Sequence, residues 1–212
     1  MQMEGSPQTV STNLSVLSHE LIKVVGEEYV LSLPVDLSVY ECDGETIDIA
    51  RPDLVVLPRS TEEVQAVVRL ASKYNVPITP RGAATGLSGG STPVMGGISL
   101  VLTRMTRIIE IDPDNQVAVV EVGVTNSSVS QAAEKFGLYF APDPSSQAAS
   151  TIGGNLAENA GGPHTLKYGT TVNHVLGAKV VLPDGNVTVL GGKVRDCLGL
   201  VSSAFWLVLK VP

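Results

Sequence analysis

Apolar side chains recur at positions 14, 17, 21, 24 and 25, a helical spacing that puts Leu14, Leu17, Leu21, Val24 and Val25 on one face, with Gly26 as the stop. Residues 54–57 form a continuous apolar run that reads as a buried strand. Ser60 with Glu63 three residues on is a capping-box pattern, and it opens a helix with Val64, Val67, Val68 and Ala71 facing inward. A strand at 76–79 follows, so strand, helix and strand make a βαβ unit with parallel strands buried on both faces. Further on, 98–102 and 107–111 read as strands, and the turn DPDN at 112–115 leads into VAVVEVG at 117–123, an antiparallel hairpin. Residues 125–136 read as a helix with Val129, Ala132, Ala133 and Phe136 on its inner side and Gly137 as its stop. The runs 175–182 and 186–190 flank the turn PDG and make another hairpin. The expected fold is α+β, made of two α/β lobes, one built on the parallel βαβ unit and the other mostly antiparallel.

Composition narrows what such a fold can serve. The 212 residues are 43% hydrophobic and 17% charged, enough apolar content for a sizeable core. A net charge of -7 and the lack of any basic run exclude nucleic acid as partner. Cys42 and Cys197 form no CxxC and no metal-ligand spacing, so no metal site is expected and a reducing, cytoplasmic setting is the default. The first residues are polar and acidic rather than signal-like, and the apolar run near 198–209 is too short to span a bilayer.

The chemistry sits in the glycines. PRGAATGLSGGS at 80–91 places Gly82, Gly86, Gly89 and Gly90 in a loop between two apolar runs, where main-chain N–H groups can surround an anion. The spacing matches neither the P-loop nor GxGxxG. By itself the loop reads equally as a glycine-rich surface turn. A second cluster, TIGGNLAENAGG at 151–162, pairs Gly153 with Gly154 and Gly161 with Gly162 inside an otherwise helical stretch. Each costs about 1 kcal/mol relative to alanine, which points to a flat or charged group approaching the backbone, or to a glycine-rich packing surface.

Together the clusters resemble the FAD-binding domain of the vanillyl-alcohol oxidase and p-cresol methylhydroxylase superfamily (PCMH type), above all glycolate oxidase FAD-linked subunits and D-lactate dehydrogenases. The matching segments are RPDLVVLPRSTEEVQAVV at 51–68, PRGAATGLSGGS at 80–91, APDPSS at 141–146, TIGGNLAENAGG at 151–162, KYGTT at 167–171 and VVLPDG at 180–185. The resemblance implies that Arg81, Gly82, Ala83, Thr85, Gly86, Leu87, Ser88, Gly89, Gly90 and Ser91 wrap the FAD pyrophosphate. It also implies that Pro142, Gly153, Gly154, Asn155, Asn159, Gly161, Gly162 and Gly169 line the pyrophosphate and isoalloxazine. Some relatives tether flavin through a histidine in the first loop; none lies at 80–91, so FAD is expected to be noncovalent. His164 reads as a polar loop residue near the flavin, His19 and His174 as helix and strand edges, and Cys42 as a buried free thiol.

By the same resemblance, a 2-hydroxy acid gives its α-hydrogen as hydride to the flavin, while the substrate-carboxylate and base residues belong to a C-terminal domain that this chain does not reach. No catalytic residue is therefore named, and the chain is expected to be inactive alone. The expected division is 1–35, a polar segment and helix; 36–193, the FAD-binding domain; and 194–212, an aberrant tail. Where the family carries a VGSEGT motif the chain reads WLVLKVP at 206–212, yet one compatible coding string shifted by two nucleotides spells VGSEGT. The tail thus reads as out of frame, the alternative being a true apolar strand at 204–211. An iron–sulfur subunit is an implied electron-accepting partner, and peripheral membrane attachment would come through a partner. A competing reading is a noncatalytic nucleotide-binding or subunit-assembly module.

Overall fold

The computed structural model describes residues 7–193 and 205–208. Helix α1 (Pro7–Val25) begins earlier than its apolar stripe and ends at Gly26, whose φ of 95° only glycine adopts readily. Its inner residues Leu17, Leu21 and Val25 pack against α3 (Thr61–Tyr74), which buries Val64, Val67 and Ala71 in the same core. Burial of each Leu or Val contributes roughly 1.5–3 kcal/mol. Between these helices lie β1 (Val30–Leu31), the short α2 (Pro34–Leu37) and β2 (Leu54–Val56). Ser60 caps α3 by accepting the Glu63 N–H at 3.3 Å. The other half of the expected box differs: Glu63 accepts instead from the Arg59 N–H at 2.8 Å and binds the Arg59 guanidinium.

Strands β3 (Ile78–Arg81) and β4 (Ile98–Val101) complete the first sheet, ordered β1-β2-β4-β3. The βαβ unit is present and parallel, but β4 lies between its two strands, parallel to both, and β1 pairs antiparallel to β2. Both ends of the glycine loop are therefore anchored in neighbouring strands, since β3 leads into it and β4 follows it.

The second lobe contains β5 (Ile108–Asp112), β6 (Val117–Val120), β7 (Val175–Val181), β8 (Val187–Gly191) and β9 (Phe205–Val208) in one antiparallel sheet, ordered β5-β6-β9-β7-β8. Both expected hairpins form, and β9 runs between β6 and β7. The rest of the tail, 194–204 and 209–212, lies outside the described residues. Helices α4 (Asn126–Glu134), α5 (Ile152–Ala157) and α6 (Thr165–Tyr168) lie between β6 and β7 in the chain.

Three local expectations are corrected. Phe136 is 42% exposed, because α4 stops at Glu134 and the left-handed Gly137 turns the chain inward, so that Leu138 and Phe140 enter the core instead. His174 is buried in a 3-10 turn before β7, with Nε2 at 2.9 Å from the Tyr168 carbonyl and its ring edge-on to Phe140. Cys42 is only half-buried.

Candidate functional site

The glycine loop leaves the carboxyl end of β3, where open parallel sheets place their ligand crevices. Arg81, the last residue of β3, is 8% exposed. Its Nη1 donates to the Tyr40 and Ser91 carbonyls and its Nη2 to that of Val39, each at 3.5 Å, while the guanidinium lies 5.4 Å from the Tyr40 ring centroid. Burial lowers its pKa from the ordinary arginine value, and the buried Asp43 pulls the other way. The guanidinium thus ties both ends of the loop to the 39–40 turn, and a bound anion would meet this region through backbone N–H groups.

The second glycine segment meets the first at Thr151. Its Oγ1 caps α5 by accepting the Gly154 N–H at 3.3 Å, and a Cβ on Gly82 would lie 2.5 Å from that same oxygen. Gly153 is pressed onto β6's outgoing chain: its N–H donates to the Val122 carbonyl at 2.8 Å, and a Cβ there would lie 2.9 Å from Val122 Cβ. Each of these glycines permits a close backbone approach that alanine would block.

Between the lobes lies a cavity of about 1270 Å³. Its walls include Arg81, Gly82, Ala83, Thr85, Gly86, Leu87, Ser88, Gly90 and Ser91 from the first segment, and Gly153, Gly154 and Asn155 from the second. Gly89, Pro142, Asn159, Gly161, Gly162 and Gly169 do not line it. Several of them make close contacts with protein. The Pro142 carbonyl accepts from Asn126 Nδ2 at 2.9 Å, the Asn126 Oδ1 accepts from Asn155 Nδ2 at 2.9 Å, and this buried amide chain fixes α5 to α4. Asn159, left-handed with φ 49°, turns the chain away just after α5 and its Oδ1 accepts the Val172 N–H at 3.1 Å. Gly162 packs so closely on the Asp143 carbonyl that a Cβ would collide with it. The exposed His164 lies beside Asp143, its Nδ1 against that carboxylate, and lines no part of the cavity.

Sequence reasoning missed several wall residues. Asp43, Thr151 and Glu158 line the cavity, and Glu158 accepts a hydrogen bond from Ser88 Oγ. Glu158 stood inside a segment already singled out, but a carboxylate is not the group an anion site suggests. Ser150, 2% exposed and also on the wall, has a buried hydroxyl without a hydrogen-bond partner. At the far end Arg107 grips the buried Glu121, its Nε and Nη2 donating at 2.9 and 2.7 Å and its backbone N–H at 2.8 Å. That pairing raises the Arg107 pKa and neutralises both charges. Both wall arginines are thereby committed to protein partners. Among the described residues, no cluster of three metal-ligating side chains occurs, and no helix is long and apolar enough to cross a membrane.

Two α/β lobes that close glycine-rich backbone around one cleft define a nucleotide-type binding domain. The chain belongs to the FAD-binding domain family, whose model matches residues 52–191, and FAD is its cofactor. It is 46% identical over 170 residues to the glycolate oxidase subunit GlcD of Escherichia coli K12, covering 80% of this chain and 34% of that protein. It is 46% identical over 145 residues to a D-lactate dehydrogenase of Anaerostipes hadrus, covering 68% and 30%. The fold matches substrate-bound p-cresol methylhydroxylase with a TM-score of 0.80 at 21% identity, over 93% of this chain and 43% of that one. The chain thus spans about a third of the length of the curated relatives it matches.

Proposed function

We propose that this chain is the FAD-binding part of an oxidoreductase that oxidises a 2-hydroxy acid of the glycolate or D-lactate type. The observation that carries the reading is the single cavity walled by two glycine segments from different lobes, in a chain similar to GlcD and to a D-lactate dehydrogenase. The cavity fits the cofactor: about 1270 Å³ exceeds the few hundred to about 1000 Å³ of ordinary small-molecule pockets, and Gly82, Gly86, Gly153 and Gly154 put side-chain-free main chain on its wall.

In this reading the main chain at 82–85 holds the diphosphate, because Arg81 and Arg107 are already engaged and the Gly153 and Gly154 N–H groups donate to Val122 and Thr151. Ser150 supplies a hydroxyl that has no protein partner. Apolar wall residues Leu100, Leu102, Val120 and Val122 exclude water from the other side. FAD, when bound, supplies a two-electron acceptor for the substrate's α-hydrogen. It is held noncovalently, since the loop 80–91 has no histidine or cysteine to form a tether.

Residues 36–193 form the cofactor domain, and the groups that grip the substrate carboxylate and take its hydroxyl proton belong to further sequence of the kind the longer relatives have. The domain alone therefore binds flavin without turning over substrate. An iron–sulfur subunit is the partner that would take electrons from it, in the cytoplasm or at a membrane face.

The test is reconstitution of the purified chain with FAD. Visible flavin absorbance that stays with the protein through gel filtration is expected; a protein that remains colourless in excess FAD overturns the reading. Adding glycolate or D-lactate to the yellow protein is expected to leave the flavin oxidised.

A further inference from the structure

Glu158 ends α5, its N–H donating to the Gly154 carbonyl at 3.0 Å, and its side chain crosses from the second lobe to the middle of the glycine loop. There Ser88 Oγ donates to Oε2, while Oε1 fills the place where a Cβ on Gly90 would stand. A Cβ on Gly86 would lie 3.8 Å from Glu158 Cγ and Cδ. The carboxylate is therefore seated on Gly90, whose missing side chain makes room for it, with Gly86 in ordinary contact beside it.

The ends of the loop have other anchors: Arg81 at 81 and 91, and the strands β3 and β4 beyond them. The middle projects across the cleft, with Leu87 77% exposed. A full negative charge does not belong beside a diphosphate, since like charges at close range repel strongly in a cavity of low dielectric. The loop consequently divides its work: residues 82–85 present backbone, and residues 86–90 accommodate Glu158.

We propose that Glu158 is a positioning residue that, through Ser88, latches the middle of the glycine loop onto the second glycine segment and so holds the cleft in its cofactor-binding shape. The latch is a property of the cofactor-free chain; its effect on affinity rests on the reading of the cavity as the FAD site.

The test uses the whole chain and the variants S88A, E158A, S88A/E158A and E158Q. Without FAD, hydrogen–deuterium exchange of the peptide covering 84–91 is expected to speed up several-fold in S88A and in E158A. The double variant should exchange no faster than either single one, because one bond is lost in all three. E158Q keeps an acceptor oxygen for the Ser88 hydroxyl and should stay near wild type. FAD titration followed by flavin fluorescence should repeat the pattern, with affinity lower by roughly tenfold in S88A and E158A. Unchanged exchange in E158A, additive effects in the double variant, or E158Q behaving like E158A each overturn the latch. If the exchange pattern holds and wild type takes up no FAD, the latch stands and the FAD reading fails. Thermal melts of the four variants separate a local loosening, with unchanged melting temperature, from a global loss of fold that would also count against the latch.

Discussion

Asn155 and Asn126 are joined by a 2.9 Å hydrogen bond between buried amides, and Asn126 extends the chain to the Pro142 carbonyl. Three separate segments of the second lobe are thereby held together by two side chains. Removing either leaves a buried partner unsatisfied, which costs about 1–3 kcal/mol. Asn126→Ala and Asn155→Ala are each expected to lower unfolding free energy by about that amount, and the double variant by less than the sum. Chemical denaturation of the cofactor-free chain measures this.

Arg81 is expected to act on the loop and not on the phosphates. Arg81→Lys loses the fork that reaches the Val39, Tyr40 and Ser91 carbonyls together. FAD affinity should fall, whereas its dependence on salt should stay as in wild type. Arg81→Gln, which removes the charge, should likewise leave the salt dependence as in wild type, and a shallower dependence in that variant would instead make Arg81 a direct phosphate contact.

Ser150 separates binding from stability. Its hydroxyl is buried without a partner, so Ser150→Ala is expected to leave the cofactor-free chain within about 0.5 kcal/mol of wild type or to stabilise it. The same variant should bind FAD several-fold more weakly. Thermal melts with and without FAD report both quantities, and equal melting shifts on adding FAD to the two proteins would remove Ser150 from the site.

Tyr139 carries an alkaline signature. Its hydrogen bond with Tyr168, helped by burial, pushes its pKa up to about 12 from an ordinary value of 10.0. The neutral phenol is the form favoured in the fold, so its contribution is complete below pH 10 and is lost as pH rises towards 12. Tyrosinate absorbance should show Tyr139 titrating near 12, and Tyr168→Phe should bring that titration back towards the ordinary value.

The parts of this fold that local chemistry decides were legible in the sequence. Ser60 announces α3, the PDG turn announces the β7–β8 hairpin, and the two glycine segments announce a wall of bare backbone. What was not legible depends on long-range choices. The insertion of β4 between β2 and β3 is a matter of pairing order, which apolar runs do not encode. Phe136 satisfied the helical period as well as any core residue, but Gly137 ended the helix and gave the interior to Phe140. The glycine pair at 161 and 162 pointed to a close approach, and in the fold Gly161 lies against Thr165 and Gly162 against Asp143, neighbours that the pattern of glycines does not name. Glu158 was hidden for the opposite reason, because its role depends on Ser88, a residue 70 positions away.

The placement of β9 sets an order of events for the newly made chain. The β5–β6 and β7–β8 hairpins are local and can zip as soon as their turns emerge, but Val117 of β6 must await Val208 and Val175 of β7 must await Leu207. Until residues 205–208 leave the ribosome, the two hairpins carry open edges facing each other. The second lobe is therefore expected to mature last, and the cleft, which needs both lobes, to become competent for its ligand only after the keystone strand has been slotted in.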